Sequence, residues 1–265
     1  MNVANYFLNF IMQMVFTLGV IFLFGVVISL CNGAFYRNLG RRAHTVCLVT
    51  GFIGTPVHEC SHAIACLIFG HKIIKIKFYE PDAANGVLGY VQHTYNCKSL
   101  YQRIGNLFIG IAPIIIGALI LAGLLYLLLP ELFSSVSSEI AKIDLLNDFW
   151  SSLGHIWRSF AAMFSYVGAW QWWIFVLAGS FIATHMTLSR ADIKGALSGL
   201  VVYVALFLIA DLVLILVSKN ALAAFTGAVV AGGTFMLFFF CIFLVISLIL
   251  LALSFISRAI SRARR

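Results

Sequence analysis

Charge is what this sequence has least of. Only 10% of its 265 residues are Asp, Glu, Lys or Arg, 62% are apolar, and the mean hydropathy is +1.04. Soluble domains carry roughly a quarter charged residues, so a single soluble globular domain is excluded. The chain is also far too apolar to remain disordered. Charge is missing altogether from Tyr6–Tyr36, Ile104–Pro130, Ser159–Ser189 and Asn220–Ser257. Each run exceeds the roughly 20 residues that cross a bilayer. A CxxC pair is missing too: five of the six cysteines lie in apolar runs and read as small apolar residues, not as a disulfide framework. The N-terminus lacks a basic stretch and a small-residue cleavage site, so Tyr6–Tyr36 is expected to be a retained anchor.

What is present is a polytopic pattern. The expected class is an all-α membrane protein forming a single membrane domain over 1–265. About six spans are expected, over 6–35, 43–69, 104–129, 168–188, 196–218 and 226–257, followed by a basic tail at 258–265. The last apolar run has 38 residues, about 57 Å of helix against a core of about 30 Å, so a break near Gly232-Gly233 or a loop before Thr226 is expected. Two segments stay outside the spans. In 71–95, Ile74, Ile76 and Phe78 alternate with Lys75 and Lys77, and Asn85-Gly86 precedes a second strand-like run. This pattern predicts a membrane-associated β-hairpin; an ordinary surface loop is the alternative. In 130–167, Ile140, Ile143, Leu146, Trp150, Leu153, Trp157 and Phe160 recur at helical spacing, which predicts an interfacial amphipathic helix or a short helix packed on the bundle.

The net charge of +8 does not point to nucleic acid, because the basic residues sit in short loops and at the C-terminus. Placing the hairpin in the cytoplasm puts 11 basic residues inside and 6 outside, which favours cytoplasmic termini. The Arg37–Arg42 loop is the contrary feature.

The second span contains His58-Glu59-Cys60-Ser61-His62, an HExxH sequence. On a helix the two histidines share one face and can hold one Zn²⁺, with Glu59 beside a bound water as general base. The chain's counts of His and Glu give a chance expectation of about 0.003 such matches. The two histidines lie about 18 and 12 Å from the Gly70 end of the helix, inside the bilayer, so water must reach them through a cavity. Thr55-Pro56 is expected to start a new helix segment and help hydrate the site. The alternative is a polar cluster that only bridges helices, but ionisable groups within a membrane are costly and usually functional.

From about Gly51 to Gly195 the chain resembles the site-2 proteases, intramembrane zinc metalloproteases that cut membrane-anchored substrates. The resemblance rests on Thr55–Gly70 (TPVHECSHAIACLIFG), on the hairpin, and on Gly110-Ile111-Ala112-Pro113 at the start of the next span. The family's usual asparagine after that proline is missing from Ile114–Gly117. The resemblance implies a third zinc ligand, an Asp from a later span, and its counterpart is Asp192 in His185-Met-Thr-Leu-Ser-Arg-Ala-Asp192-Ile-Lys-Gly195. This stretch lacks the family's proline, and its glycine follows three residues after the Asp. The residues alone offer His185 as the rival ligand, seven residues before Asp192 on the same helical face. If not a ligand, His185 is a candidate for the substrate carbonyl or oxyanion. Asp192 has a plainer alternative as a loop acid paired with Arg190 or Lys194.

Elsewhere His71, His93 and His155 read as solvated loop or surface residues, and Asp211 as a satisfied acid near the outer interface. Gly227, Ala231 and Gly232 suggest close helix packing. The functional expectation is a zinc endopeptidase of the cell membrane that hydrolyses a peptide bond in or near a substrate's transmembrane segment. Its partners would be a membrane-protein substrate, the lipid bilayer and a regulatory membrane protein, with no nucleic acid. A zinc-dependent membrane hydrolase of a non-peptide substrate and a non-catalytic zinc-containing subunit remain the other two classes.

Overall fold

Inside a bilayer no water satisfies backbone N–H and C=O groups, so an apolar chain must pair them within helices. The computed structural model, which describes residues 3–81, 88–145 and 148–263, is 83% helical with one two-stranded sheet. Among the described residues four stretches are long and apolar enough to cross a membrane: Tyr6–Ile68, Leu100–Leu128, Arg190–Val217 and Asn220–Ile260.

Helix α1 (Val3–Met14) runs through a π-helical turn, Val15–Gly19, into α2 (Val20–Leu39). A 3₁₀ turn, Gly40–Arg42, leads to α3 (Ala43–Ile68). Gly40 has φ +56°, where other residues are strained. The Tyr36 hydroxyl lies 3.4 Å from Thr50 Oγ1, 14 residues on, whereas continuous helix would separate them by about 21 Å. The chain therefore doubles back at Gly40.

α3 is uninterrupted, with Pro56 inside it, so the expected break at Thr55-Pro56 does not form. The proline still removes one N–H, the one that would bond the Phe52 carbonyl. α3 ends at Gly70, φ +67°, where the His71 N–H bonds the Cys66 carbonyl at 2.8 Å and the Gly70 N–H bonds that of Leu67 at 3.2 Å. This pair of bonds is a Schellman cap, and it needs a residue that tolerates positive φ. Strands β1 (Lys72–Lys77) and β2 (Tyr90–Thr94) then pair antiparallel, with Ile73 opposite His93 and a bulge between Ile73 and Lys75. The expected Asn85-Gly86 turn lies outside the described residues. The Tyr79 hydroxyl donates to the Leu48 carbonyl, so β1 leads back along α3.

Helices α4 (Leu100–Leu128), α5 (Pro130–Ile140), α6 (Phe149–Phe164), α7 (Trp170–His185), α8 (Arg190–Val217) and α9 (Lys219–Ala263) complete the chain. The segment 130–167 thus holds two helices packed on one another instead of one amphipathic helix. α7 has 16 residues, shorter than the expected span 168–188. α9 runs for 45 residues with neither the break at Gly232-Gly233 nor the loop before Thr226.

The chain forms two compact units. The first comprises Met1–Val20, Ala118–Gly179 and Ala210–Ile242. Leu121, Leu125, Leu132, Phe175 and Phe239 are among its fully buried side chains. Gly233 does not bend α9; a Cβ there would lie 2.5 Å from the Phe16 carbonyl oxygen, so the glycine permits close approach to the π-helical turn. Gly227 and Gly232 have no neighbour in that position, so they do not supply the expected packing. Asp211 is buried and accepts from Gln13 Nε2 at 3.0 Å, and the same amide donates to Thr226 Oγ1 at 2.9 Å. Glu139 on α5 binds Lys142, His155 and Arg158 and so ties α5 to α6. Trp150 and Trp157 on α6 stand 80% and 73% exposed, an apolar face that suits a lipid interface.

The second unit comprises Ile21–Gly117, Ser180–Ile209 and Phe243–Arg265. Ala65 and Cys66 of α3 pack on Ile109 and Ala112 of α4, with Ile73 and Val91 of the hairpin against them. The HExxH residues lie on α3 beside this core.

Candidate functional site

The helical repeat sets His58 and His62 one above the other, with their Nε2 atoms 3.1 Å apart. Each Nδ1 faces a backbone carbonyl: His58 toward His185 O at 2.9 Å, His62 toward Ile109 O at 2.8 Å. A carbonyl only accepts, so each neutral imidazole carries its proton on Nδ1 and leaves Nε2 bare. Asp192 Oδ1 lies 3.4 Å from His62 Nε2. One ligand atom from each of the three residues falls within 4.8 Å of the others. Three lone pairs thus converge on one point, which is repulsive unless a cation sits between them. The carbonyl partners also match the way metal-bound histidines are oriented. The donor set His₂Asp fits zinc.

Asp192 is placed by a capping box. Ser189 Oγ accepts from the Asp192 N–H at 3.1 Å, and Asp192 Oδ2 accepts from the Ser189 N–H at 2.8 Å. One carboxylate oxygen starts α8 and the other is free to face the histidines. Among the described residues the ion-pair partner of Asp192 is His62, not Arg190 or Lys194. Gly110 makes the approach of α4 feasible, since a Cβ there would collide with the Asp192 carbonyl.

His185 stands beside this cluster. Thr50 spends its proton on the Val46 carbonyl, so its oxygen accepts from His185 Nε2 at 3.0 Å. The other ring nitrogen lies 3.4 Å from Thr55 Oγ1. With both nitrogens facing threonines, the ring stays outside the His58–His62–Asp192 group, and its main-chain carbonyl orients His58. Gly54 allows this packing, because a Cβ there would meet the Phe181 carbonyl and the His185 ring.

Glu59 is buried and lines a cavity of about 320 Å³ together with His58, His62, Asp192, Asn106 and His93. The chain of Gly89 passes over Glu59, where a Cβ would lie 2.9 Å from Glu59 Cγ. Asn106 is 5% exposed and is the one amide in the apolar run of α4. It sits two helical turns before Pro113, so it shares the face of Gly110 and Pro113. A lone amide in an otherwise apolar run was its sequence signal.

His71, His93 and His155 are not the solvated groups that the sequence suggests. His71 is 4% exposed, and its Nδ1 lies 3.0 Å from His93 Nδ1. Burial, then the neighbouring His71 and His62, push the His93 imidazole below its usual pKa. His155 bonds Glu139. No family model, curated protein or solved structure matches the chain.

Proposed function

We propose that the protein is an intramembrane zinc metalloprotease of the site-2 type. The observation that carries this reading is the convergence of two bare imidazole nitrogens and one carboxylate oxygen in a cavity that a buried glutamate also lines. His58, His62 and Asp192 would hold the zinc, which supplies Lewis-acid polarisation of the scissile carbonyl and acidifies a water. Glu59 takes the proton from the attacking water at a carboxylate oxygen. It then returns that proton to the leaving amine as the C–N bond breaks. Asn106 presents an amide donor to the developing oxyanion, a role the sequence first suggests for His185. His185 serves as a positioning residue, through the bond from His58 to its carbonyl.

The fold-back at Gly40 supports counting Tyr6–Ile68 as two passes. With Leu100–Leu128, Arg190–Val217 and Asn220–Ile260, and with α7 as a short pass, the total is six. The exposed tryptophans of α6 support an interfacial seat for that helix in the cell membrane. The substrate would be a membrane protein, presented from the bilayer or by a regulatory membrane partner. The deciding experiment compares membrane proteomes of cells carrying the wild type and Glu59→Ala. Substrates should accumulate uncut in the variant; identical proteomes, with zinc bound in both, would sink the protease reading.

A further inference from the structure

One turn beyond His62 on the same face of α3 stands Cys66, fully buried. The Schellman cap folds the chain back so that the His71 N–H bonds the Cys66 carbonyl. The strand register then sets His93 opposite Ile73, two residues past His71. A thiol from the helix, an imidazole from its cap and an imidazole from β2 are thereby brought together. One ligand atom from each lies within 4.8 Å of the other two.

His71 is held in the same way as each HExxH histidine, by a backbone carbonyl at one ring nitrogen. His71 Nε2 donates to the Gln102 carbonyl at 2.8 Å, which leaves its Nδ1 bare and fixes the ring. That bare nitrogen faces His93 Nδ1 at 3.0 Å, close to the 3.1 Å between His58 and His62. Two nitrogens on a tetrahedral zinc sit about 3.3 Å apart, so little movement is needed to admit an ion. Gly105 backs the site, since a Cβ there would lie 2.9 Å from His71 Nε2. We propose that Cys66, His71 and His93 form a second metal site, separate from His58–His62–Asp192 and suited to zinc or another borderline-soft divalent cation. A CysHis₂ set needs a fourth donor, and water from the cavity that His93 lines supplies it. On binding, the thiol releases its proton to solvent and the His93 proton moves from Nδ1 to Nε2. The ion would clasp the foot of the hairpin to the end of α3, beside the first cluster.

Cobalt substitution of the full-length chain in detergent micelles tests this. A thiolate ligand adds a sulfur-to-cobalt charge-transfer band that a His₂Asp site cannot give, so the band reports the second site whatever happens at the first. The wild type should take up about two cobalt ions per chain and show the band. Cys66→Ser should lose the band and one ion and keep the other ion's d–d absorption. His58→Ala/His62→Ala should keep the band, and Cys97→Ser, which removes the exposed thiol, should not change it. His93→Gln alters a half-buried strand residue and should weaken the second ion at least about 10-fold. It decides the matter if Cys66→Ser fails to fold. No band in the wild type, a band that persists in Cys66→Ser, or unchanged affinity in His93→Gln would overturn the site. A band without an ion at the HExxH residues would instead count against the protease reading alone.

Discussion

Replacing Glu59 with Gln keeps the side-chain volume and removes the proton acceptor. The variant should hold its zinc and cut a substrate about 10²–10⁴-fold more slowly, which metal analysis and a cleavage assay together would show. Asp192→Asn separates two jobs of one carboxylate. The amide oxygen can still accept from the Ser189 N–H, so the α8 cap should survive, while zinc affinity falls. His185→Ala, in contrast, should keep the zinc, because the main-chain carbonyl that orients His58 remains. Loss of zinc in His185→Ala with retention in Asp192→Asn would reverse the two roles. HExxH was legible in the sequence because its geometry is a local consequence of helical spacing. Asp192 was legible by resemblance alone, since its ligand role depends on where α8 begins in space. The Cys66–His71–His93 group was not legible, since a cap, a bulge and a strand register must all act before the three residues meet.

Two glycines act at the scale of elements. Gly54 lets α3 come within contact of the Phe181 carbonyl and the His185 ring, and Gly110 lets α4 come within contact of the Asp192 carbonyl. Gly54→Val should cost about 1–3 kcal/mol through overpacking and weaken metal binding, read by thermal unfolding with and without zinc. The α5–α6 pair supplies a pH prediction. Lys142, then Arg158 and His155, hold the Glu139 carboxyl down at about 2, below its ordinary 4.5. A carboxylate held low stabilises the fold above its unfolded value, and that contribution is lost as the pH falls from about 4.5 toward 2. Tryptophan fluorescence of α6 should report loosening in that window, and Glu139→Gln should abolish the transition. Glycine was also where sequence reading went astray. Gly232-Gly233 looked like a helix break because composition cannot distinguish a flexible glycine from one that admits the Phe16 backbone. Likewise, Pro56 looked like a helix start, yet the packed helix tolerates one missing N–H.

For the whole molecule, the distribution of basic residues sets a testable orientation. Cys97 follows the hairpin and is exposed, so an impermeant thiol reagent added to intact cells should leave it unlabelled. A cysteine introduced at Asp148 should react from outside; the opposite pattern would invert the topology. The helical, membrane-crossing character was legible from charge-free runs alone, whereas the path between them depends on single φ angles such as that of Gly40. One further consequence concerns insertions and deletions. α3 carries His58, Glu59, His62 and Cys66 in sequence and passes directly into the cap that sets His71. Adding one codon between His62 and Cys66 would turn everything downstream by about 100° and advance it by about 1.5 Å. Cys66, His71 and the hairpin would then leave their partners in a single step. The stretch from His58 to His71 should therefore accept substitutions in many places but no change of length.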